Sequence, residues 1–228
     1  MTEESRHEAR VPLSALVPEA FKLTDRITRD AVEREVKRGS EVSCTRGCAA
    51  CCRSLVRISI PKALYIYERL LESERLWRDE TLERFQQAKE TLKQNGLTET
   101  LERSLVRQPE DVSYDHRLQL LFRQYLALHL ACPFLVEETC SIYSWRPVAC
   151  RQYFVTSPES WCVDPFGNNL RRVSLPLNVT DLLAQGTADV LDEPFRMIAL
   201  PLALNWAAEN QELVKLKRRE RSRRWAKQ

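Results

Sequence analysis

The sequence predicts a mainly α-helical protein, a helical scaffold around an irregular cysteine-rich centre. Three observations predict this. Only five of the 228 residues are glycine, which leaves little material for a turn-rich β architecture or for a glycine-rich phosphate-binding loop. Long stretches alternate apolar and charged residues at helical spacing. All eight cysteines fall into two short regions separated by about 80 residues of mostly helical sequence.

The N-terminal half predicts three helices and a short extended segment. Residues 16–38 have helical periodicity and Gly39 offers a stop. Residues 55–60, LVRISI, alternate and are β-branched, so they form a short strand or an extended link. Pro61 suits the first turn of the helix that follows. A charged helical pattern then covers residues 77–107, with a break near Asn95 and Gly96.

The C-terminal half begins with a leucine-rich helix over residues 114–130. Prolines, aromatics and four cysteines replace the helical pattern over residues 132–165, which predicts loops and short turns. Asn178 is the expected N-cap of a short helix through Ala184. We expect a last long helix to begin near Glu193, to be kinked by Pro201 and to run into the basic tail.

These elements suggest three segments. Residues 1–43 form an N-terminal helical segment. Residues 44–165 form a cysteine-cluster domain with a helical insertion at 61–130. Residues 166–228 form C-terminal helices with a basic tail.

The distribution of charge and the N-terminal sequence limit which partners and which cellular compartment can be expected. Net charge is +3, but residues 213–228 alone carry +7, so the rest sums to −4. Such a tail attracts nucleic acid or anionic lipid by charge, or simply complements its own helix dipole. The N-terminus lacks the apolar run of a secretory signal, and no apolar stretch is long enough for a membrane span. We therefore expect a cytoplasmic protein with reduced cysteines.

The first cysteine group has the spacing C-x3-C-x2-C-C, formed by Cys44, Cys48, Cys51 and Cys52. On a helix these positions share one face, whereas in turns Cys48 and Cys51 form a short chelating loop. The adjacent pair Cys51–Cys52 would strain to serve the same ion. Two metal centres, or one cluster with spare thiols, fit that pair better than a single closed zinc site.

The second group contains Cys132, Cys140, Cys150 and Cys162, at gaps of seven, nine and eleven residues. Thiolates are soft ligands that select zinc, copper(I) and iron–sulfur clusters. Eight cysteines in a reduced compartment therefore favour a metal site, with free buried thiols and disulfides as alternatives. The predicted ligands are all eight cysteines, in a mainly α-helical scaffold around an irregular metal-binding centre.

Four thiolates on one zinc ion, or on one [4Fe–4S] cluster, leave a negative charge that nearby cations must balance. Arg46, Arg53, Arg146 and Arg151 lie beside or within two residues of a cysteine. We expect Arg146, Arg151 and Tyr143 to surround the metal ligands, although each also suits an ordinary role in holding the loop to the core.

The motifs CTRGCAACC (44–52) and CPFLVEETCSIYSWRPVACR (132–151) resemble the YkgJ-type cysteine-cluster family, which is also described as a CxxCxxCC zinc- or iron-chelating domain. The resemblance covers residues 40–165. It implies a cysteine-held zinc or iron site, often labelled an iron–sulfur oxidoreductase. A similar cysteine region occurs in flagellin lysine N-methylases, but this chain matches them only in the cysteine motifs.

Three hypotheses follow. The first is a metal-binding protein that holds zinc or iron through eight cysteines. The second is an enzyme, either an iron–sulfur oxidoreductase with a [4Fe–4S] cluster or a lysine-methylase-like protein. The third is a zinc-dependent module that binds nucleic acid through residues 213–228.

Overall fold

A computed structural model describes residues 12–108, 110–167 and 169–214. The mainly α-helical fold class is confirmed. The α-helices of the described residues are α1 (Leu16–Lys37), α2 (Ile60–Leu71), α3 (Arg75–Gln94), α4 (Thr98–Ser104), α5 (Tyr114–Leu126), α6 (Val148–Arg151), α7 (Val179–Leu191) and α8 (Ala203–Glu209). The strands are β1 (Arg57–Ser59), β2 (Val106–Arg107), β3 (Leu135–Val136), β4 (Thr139–Cys140) and β5 (Phe195–Ala199). Short 3-10 turns connect several of them.

Helix α1 ends as the sequence predicts. Gly39 adopts φ 81°, a left-handed conformation that glycine accepts without a Cβ penalty. The amide of Ser40 then donates to the carbonyl of Glu35 at 3.0 Å, which closes the helix with a reversed turn.

Helices α2 and α7 also begin where the sequence places them. Pro61 lies in the first turn of α2, whose buried face includes Leu64, Ile66 and Leu70. Asn178 caps α7 by accepting hydrogen bonds from the amides of Thr180 and Asp181. Local sequence signals were therefore sufficient for these two helix starts.

The predicted long helix from near Glu193 is wrong. Residues Phe195–Ala199 form β5, the central strand of a three-stranded antiparallel sheet with the order β1–β5–β2. Ile198 pairs with Ile58, and Arg196 pairs with Val106. Pro201 lies in a short 3-10 turn, and helix begins again only at Ala203. Four of the five residues of β5 are apolar and buried, and the strand finds distant partners, which local periodicity does not reveal.

Three apolar clusters hold these elements together. The first lies between α2, α3, α8 and the loop after Cys132, and includes Phe85 and Phe134. The second packs α4 and α5 against β5, and the third joins α1, α6 and α7. The loop after Cys132 is thus fixed directly to the helical scaffold. In the described part of the chain, no helix is both long and apolar enough to cross a bilayer.

Candidate metal centre

The first cysteine motif is a run of tight turns. The amide of Cys48 donates to the carbonyl of Thr45 at 3.2 Å, and the amide of Cys52 donates to that of Ala49 at 2.9 Å. Gly47 adopts φ 95°, a conformation that a side chain would oppose. Of the two arrangements that the spacing allows, the structure has turns rather than one helix face.

The second motif distributes its cysteines over short elements. Cys132 opens a turn in which its carbonyl accepts from the amide of Leu135 at 2.8 Å. Cys140 ends the β3–β4 hairpin, and Cys150 lies on the four-residue helix α6. Cys162 lies on a 3-10 turn over Glu159–Val163.

Backbone and ionic contacts join the two motifs across 80 residues of sequence. The amide of Cys132 donates to the carbonyl of Cys52 at 2.8 Å. The guanidinium of Arg53 binds both carboxylate oxygens of Glu138, in the hairpin turn, at 2.6 and 3.0 Å. At the other edge, the amide of Ser43 donates to the carbonyl of Val155 at 3.0 Å. The motifs therefore form one loop region.

All eight cysteines carry free thiols; Cys162 is buried and the rest have intermediate exposure. Cys51 forms a hydrogen bond with Cys52 and lies within electrostatic range of thiols from both motifs. Those thiols belong to Cys44, Cys132, Cys140, Cys150 and Cys162. Cys48 interacts in turn with Cys44 and Cys162.

Burial raises the pKa of several of these thiols and so favours their protonated state. It raises the pKa of Cys132 and of Cys150 to about 12, and that of Cys162 to about 11. The hydrogen bond with Cys52 is the main reason that the pKa of Cys51 is raised. Since a metal binds the thiolate, an entering ion must displace these protons.

The donor chemistry fits a thiophilic metal, but the thiols do not form a finished coordination shell. No group of three or more His, Cys, Asp or Glu side chains in the described ranges is arranged to hold a metal ion. Metal loading would therefore have to move cysteine side chains, a coupling that is common where the site is not preformed.

Arg146 and Tyr143 lie beside the thiols. The Arg146 guanidinium stacks 3.9 Å from the centre of the Tyr143 ring and donates to the Tyr143 carbonyl at 3.0 Å. Its charge also acts to lower the pKa of Cys51 and Cys140. Arg46 approaches the same ring at 5.3 Å, so the ring has two guanidinium neighbours.

Arg151 has different neighbours. It is buried, pairs with Asp25 of α1 at 2.9 Å and lies 4.1 Å from the ring centre of Phe21. It also donates to the carbonyl of Ser144. These contacts tie α6, and with it Cys150, to α1.

A further charged group, Lys62 of α2, lies near the thiols and was not expected from the sequence. Its side chain is 1% exposed, and its ammonium donates to the carbonyl of Trp145 at 2.6 Å. The ammonium lies 4.7 Å from the ring centres of Phe21 and Tyr65. Burial lowers its pKa, while Cys150 and Cys140 act in the opposite direction. A lysine in a helical pattern normally indicates an exposed position, so no sequence signal identified this one.

The basic tail over residues 213–228 falls almost entirely outside the described residues, which end at residue 214.

The family model of the CxxCxxCC domain, described as a "putative zinc- or iron-chelating domain", matches residues 43–165. This range covers more than half of the chain and both cysteine motifs. No curated protein and no solved structure gives a significant match. The chain therefore belongs to the CxxCxxCC family of zinc- or iron-chelating domains.

Proposed function

We propose that the protein binds zinc or iron through the thiolates of its eight cysteines: Cys44, Cys48, Cys51, Cys52, Cys132, Cys140, Cys150 and Cys162. The observation that carries the proposal is the 2.8 Å backbone hydrogen bond from the amide of Cys132 to the carbonyl of Cys52, which brings two distant motifs together. A group of free thiols around Cys51 is a soft donor set, suited to zinc or iron rather than to magnesium or calcium.

The surrounding charges support an anionic centre. Bound thiolates carry more negative charge than one divalent ion neutralises, so nearby cations are needed. Arg146 and Lys62 lie within electrostatic range of Cys150 and Cys140. We propose that these two cations stabilise the loaded site, and that Tyr143 orients Arg146 by stacking.

Arg151 would act differently. Its ion pair with Asp25 anchors the helix that carries Cys150, so we propose that it positions this ligand through α6. A zinc ion would cross-link the two motifs, whereas iron could also supply redox chemistry in the form of an iron–sulfur cluster.

Metal analysis separates these forms. The protein should be purified without oxygen, and zinc, iron and acid-labile sulfide measured per chain together with the visible spectrum. Zinc in a colourless protein would support a thiolate zinc site, while iron with equal sulfide and visible absorption would support a cluster.

Variants test the ligand assignment. Cys132→Ser and Cys51→Ser should lower the bound metal, whereas Thr45→Ser, in the same loop but without a thiol, should leave it unchanged. Full metal content in both cysteine variants, or no metal in the unaltered protein, would overturn the proposal.

A further inference from the structure

The loop that carries the first motif contacts different partners at its two edges. At its start, Ser43 donates from its amide to the carbonyl of Val155 and from its hydroxyl to that of Ser157, at 3.0 and 2.7 Å. The chain from there leads directly into the 3-10 turn of Cys162. The first edge therefore places Cys44 beside the segment that ends in Cys162.

The second edge lies against the other cysteines. The carbonyl of Cys52 accepts a hydrogen bond from the amide of Cys132. The guanidinium of Arg53 binds the carboxylate of Glu138, which lies in the hairpin turn just before Cys140. Leu135 pairs with Cys140 across this hairpin, so Cys132 and Cys140 are held at one end of it.

The electrostatic neighbours of the thiols divide in the same way. Cys162 interacts with Cys44 and Cys48. Cys132 interacts with Cys140 and Cys150, and Cys150 with Cys140. Cys51, beside Cys52, is within range of both sets. Cys162 is thus grouped with the first motif, although in sequence it belongs to the second.

Building on the proposed function, we propose that the chain holds two four-thiolate metal centres. Centre A takes Cys44, Cys48, Cys162 and one thiol of the Cys51–Cys52 pair. Centre B takes Cys132, Cys140, Cys150 and the other thiol of that pair. Four thiolates complete a structural zinc site, and adjacent side chains that leave the backbone in different directions suit two ions better than one.

The two centres differ in their charged surroundings. Centre B has Arg146 and Lys62 within range of Cys140 and Cys150. Centre A has the carboxylate of Glu159 within range of Cys44. Four thiolates give a zinc centre a net negative charge, which nearby cations stabilise and a nearby carboxylate destabilises. Centre B should therefore retain its metal longer than centre A.

Paired variants test the sorting, with zinc as the probe and native mass spectrometry as the readout. The unaltered chain should bind two zinc ions. Cys44→Ser with Cys162→Ser removes two ligands of centre A, so one zinc should remain. Cys132→Ser with Cys162→Ser affects both centres, so neither zinc should remain. If the centres instead followed the two sequence motifs, Cys162 would belong with Cys132. The first pair of substitutions would then remove both zinc ions and the second would leave one, and that result would overturn the proposal.

A second measurement uses only the unaltered protein, in case a variant fails to fold. A chelator is added stepwise to zinc-loaded protein, and the released thiols are alkylated and mapped. Cys44, Cys48 and Cys162 should be modified together and before Cys132, Cys140 and Cys150. Simultaneous release of all eight, or a single zinc per chain, would overturn the two centres while leaving the proposed function standing. No bound zinc or iron at all would overturn the proposed function itself.

Discussion

The helical scaffold and the cysteine region are held together in different ways. In the scaffold, α2, α3, α4, α5 and α8 pack apolar faces around β5, with side chains such as Phe85 and Leu92 almost fully buried. The cysteine region, residues 43–54 and 132–163, consists mostly of turns, two-residue strands and the four-residue helix α6. Single backbone hydrogen bonds and an exposed ion pair join its two parts, and a few buried side chains such as Phe134 anchor it to the scaffold. The scaffold has an extended apolar core that stabilises it, whereas the cysteine region brings together eight free thiols, seven of them only partly buried. Metal should therefore stabilise the second region far more than the first.

Truncating the scaffold core should have the largest effect. Phe85 is 2% exposed, and its ring centre lies 5.1 Å from that of Phe134. Phe85→Ala should lower the free energy of unfolding by about 3–5 kcal/mol, through lost burial and the cavity left behind. Urea denaturation measures this loss, which should be similar with and without metal.

Leu76→Ala is the matched control on the same helix, because Leu76 is 65% exposed. It should change stability by less than about 0.5 kcal/mol. A small effect of Phe85→Ala in the metal-loaded protein alone would mean that metal, not the apolar core, stabilises the scaffold.

Removal of the metal should have the second-largest effect, and it should destabilise the cysteine region without destabilising the scaffold. At free zinc 100-fold above the Kd, binding adds about 2.7 kcal/mol of stability to the structure that binds it. Hydrogen exchange should therefore become about 100-fold faster in residues 43–54 and 132–163 after chelation. The amides of α2 and α3 should change little. Equal acceleration in all helices would contradict an independently stable scaffold.

Lys62 connects the two regions, and its replacement should affect the metal more than the fold. In Lys62→Met the apolar side chain fills the buried position, but the cation near Cys140 and Cys150 is lost. Zinc affinity, measured by competition with a chromophoric chelator, should fall about 10–100-fold.

The metal-free Lys62→Met protein should lose no more than about 1–3 kcal/mol of stability, because the cost of leaving the Trp145 carbonyl without its donor is offset by removal of a group that is costly to desolvate. Lys22→Met is a control on an exposed lysine and should leave zinc affinity unchanged. Unchanged affinity in Lys62→Met would show that Lys62 has no electrostatic role at the site.

The smallest effect should come from a scaffold ion pair far from the thiols in sequence. Arg117 pairs with Asp111 at 2.7 Å, and its hydrogen bonds hold the pKa of the Asp111 carboxyl well below its ordinary value of 3.8. A depressed folded-state pKa means that the stabilisation is complete above pH 3.8 and is lost as the pH falls.

Asp111→Asn should therefore lower the Tm slightly at pH 7, and the difference should shrink below pH 3.8. The same substitution in an Arg117→Met background should have almost no effect. A difference that persists at low pH would assign the effect to something other than this ion pair.

Signals within a few residues made parts of the fold predictable. The glycine after α1, the proline that opens α2 and the asparagine before α7 each act through their own backbone or side chain, so the sequence alone locates them. Strand β5 was not predictable, because its short, largely apolar sequence is compatible with helix or strand until β1 and β2 pair with it.

The candidate metal site also has features that the sequence predicts and features that it does not. The cysteines and their thiophilic chemistry could be read from spacing and composition. The proximity of Cys162 to Cys44 and of Cys132 to Cys52 depends on tertiary contacts of high sequence separation. Lys62 was missed for the same reason, since only the packing of Phe21, Tyr65 and Trp145 around it makes that lysine buried.

The most direct test of thiolate metal binding is X-ray absorption at the metal edge of protein purified without oxygen. We predict a first shell made of sulfur, at about 2.3 Å if the metal is zinc. A first shell of nitrogen or oxygen, or a protein that carries neither zinc nor iron, would contradict metal binding by the cysteines.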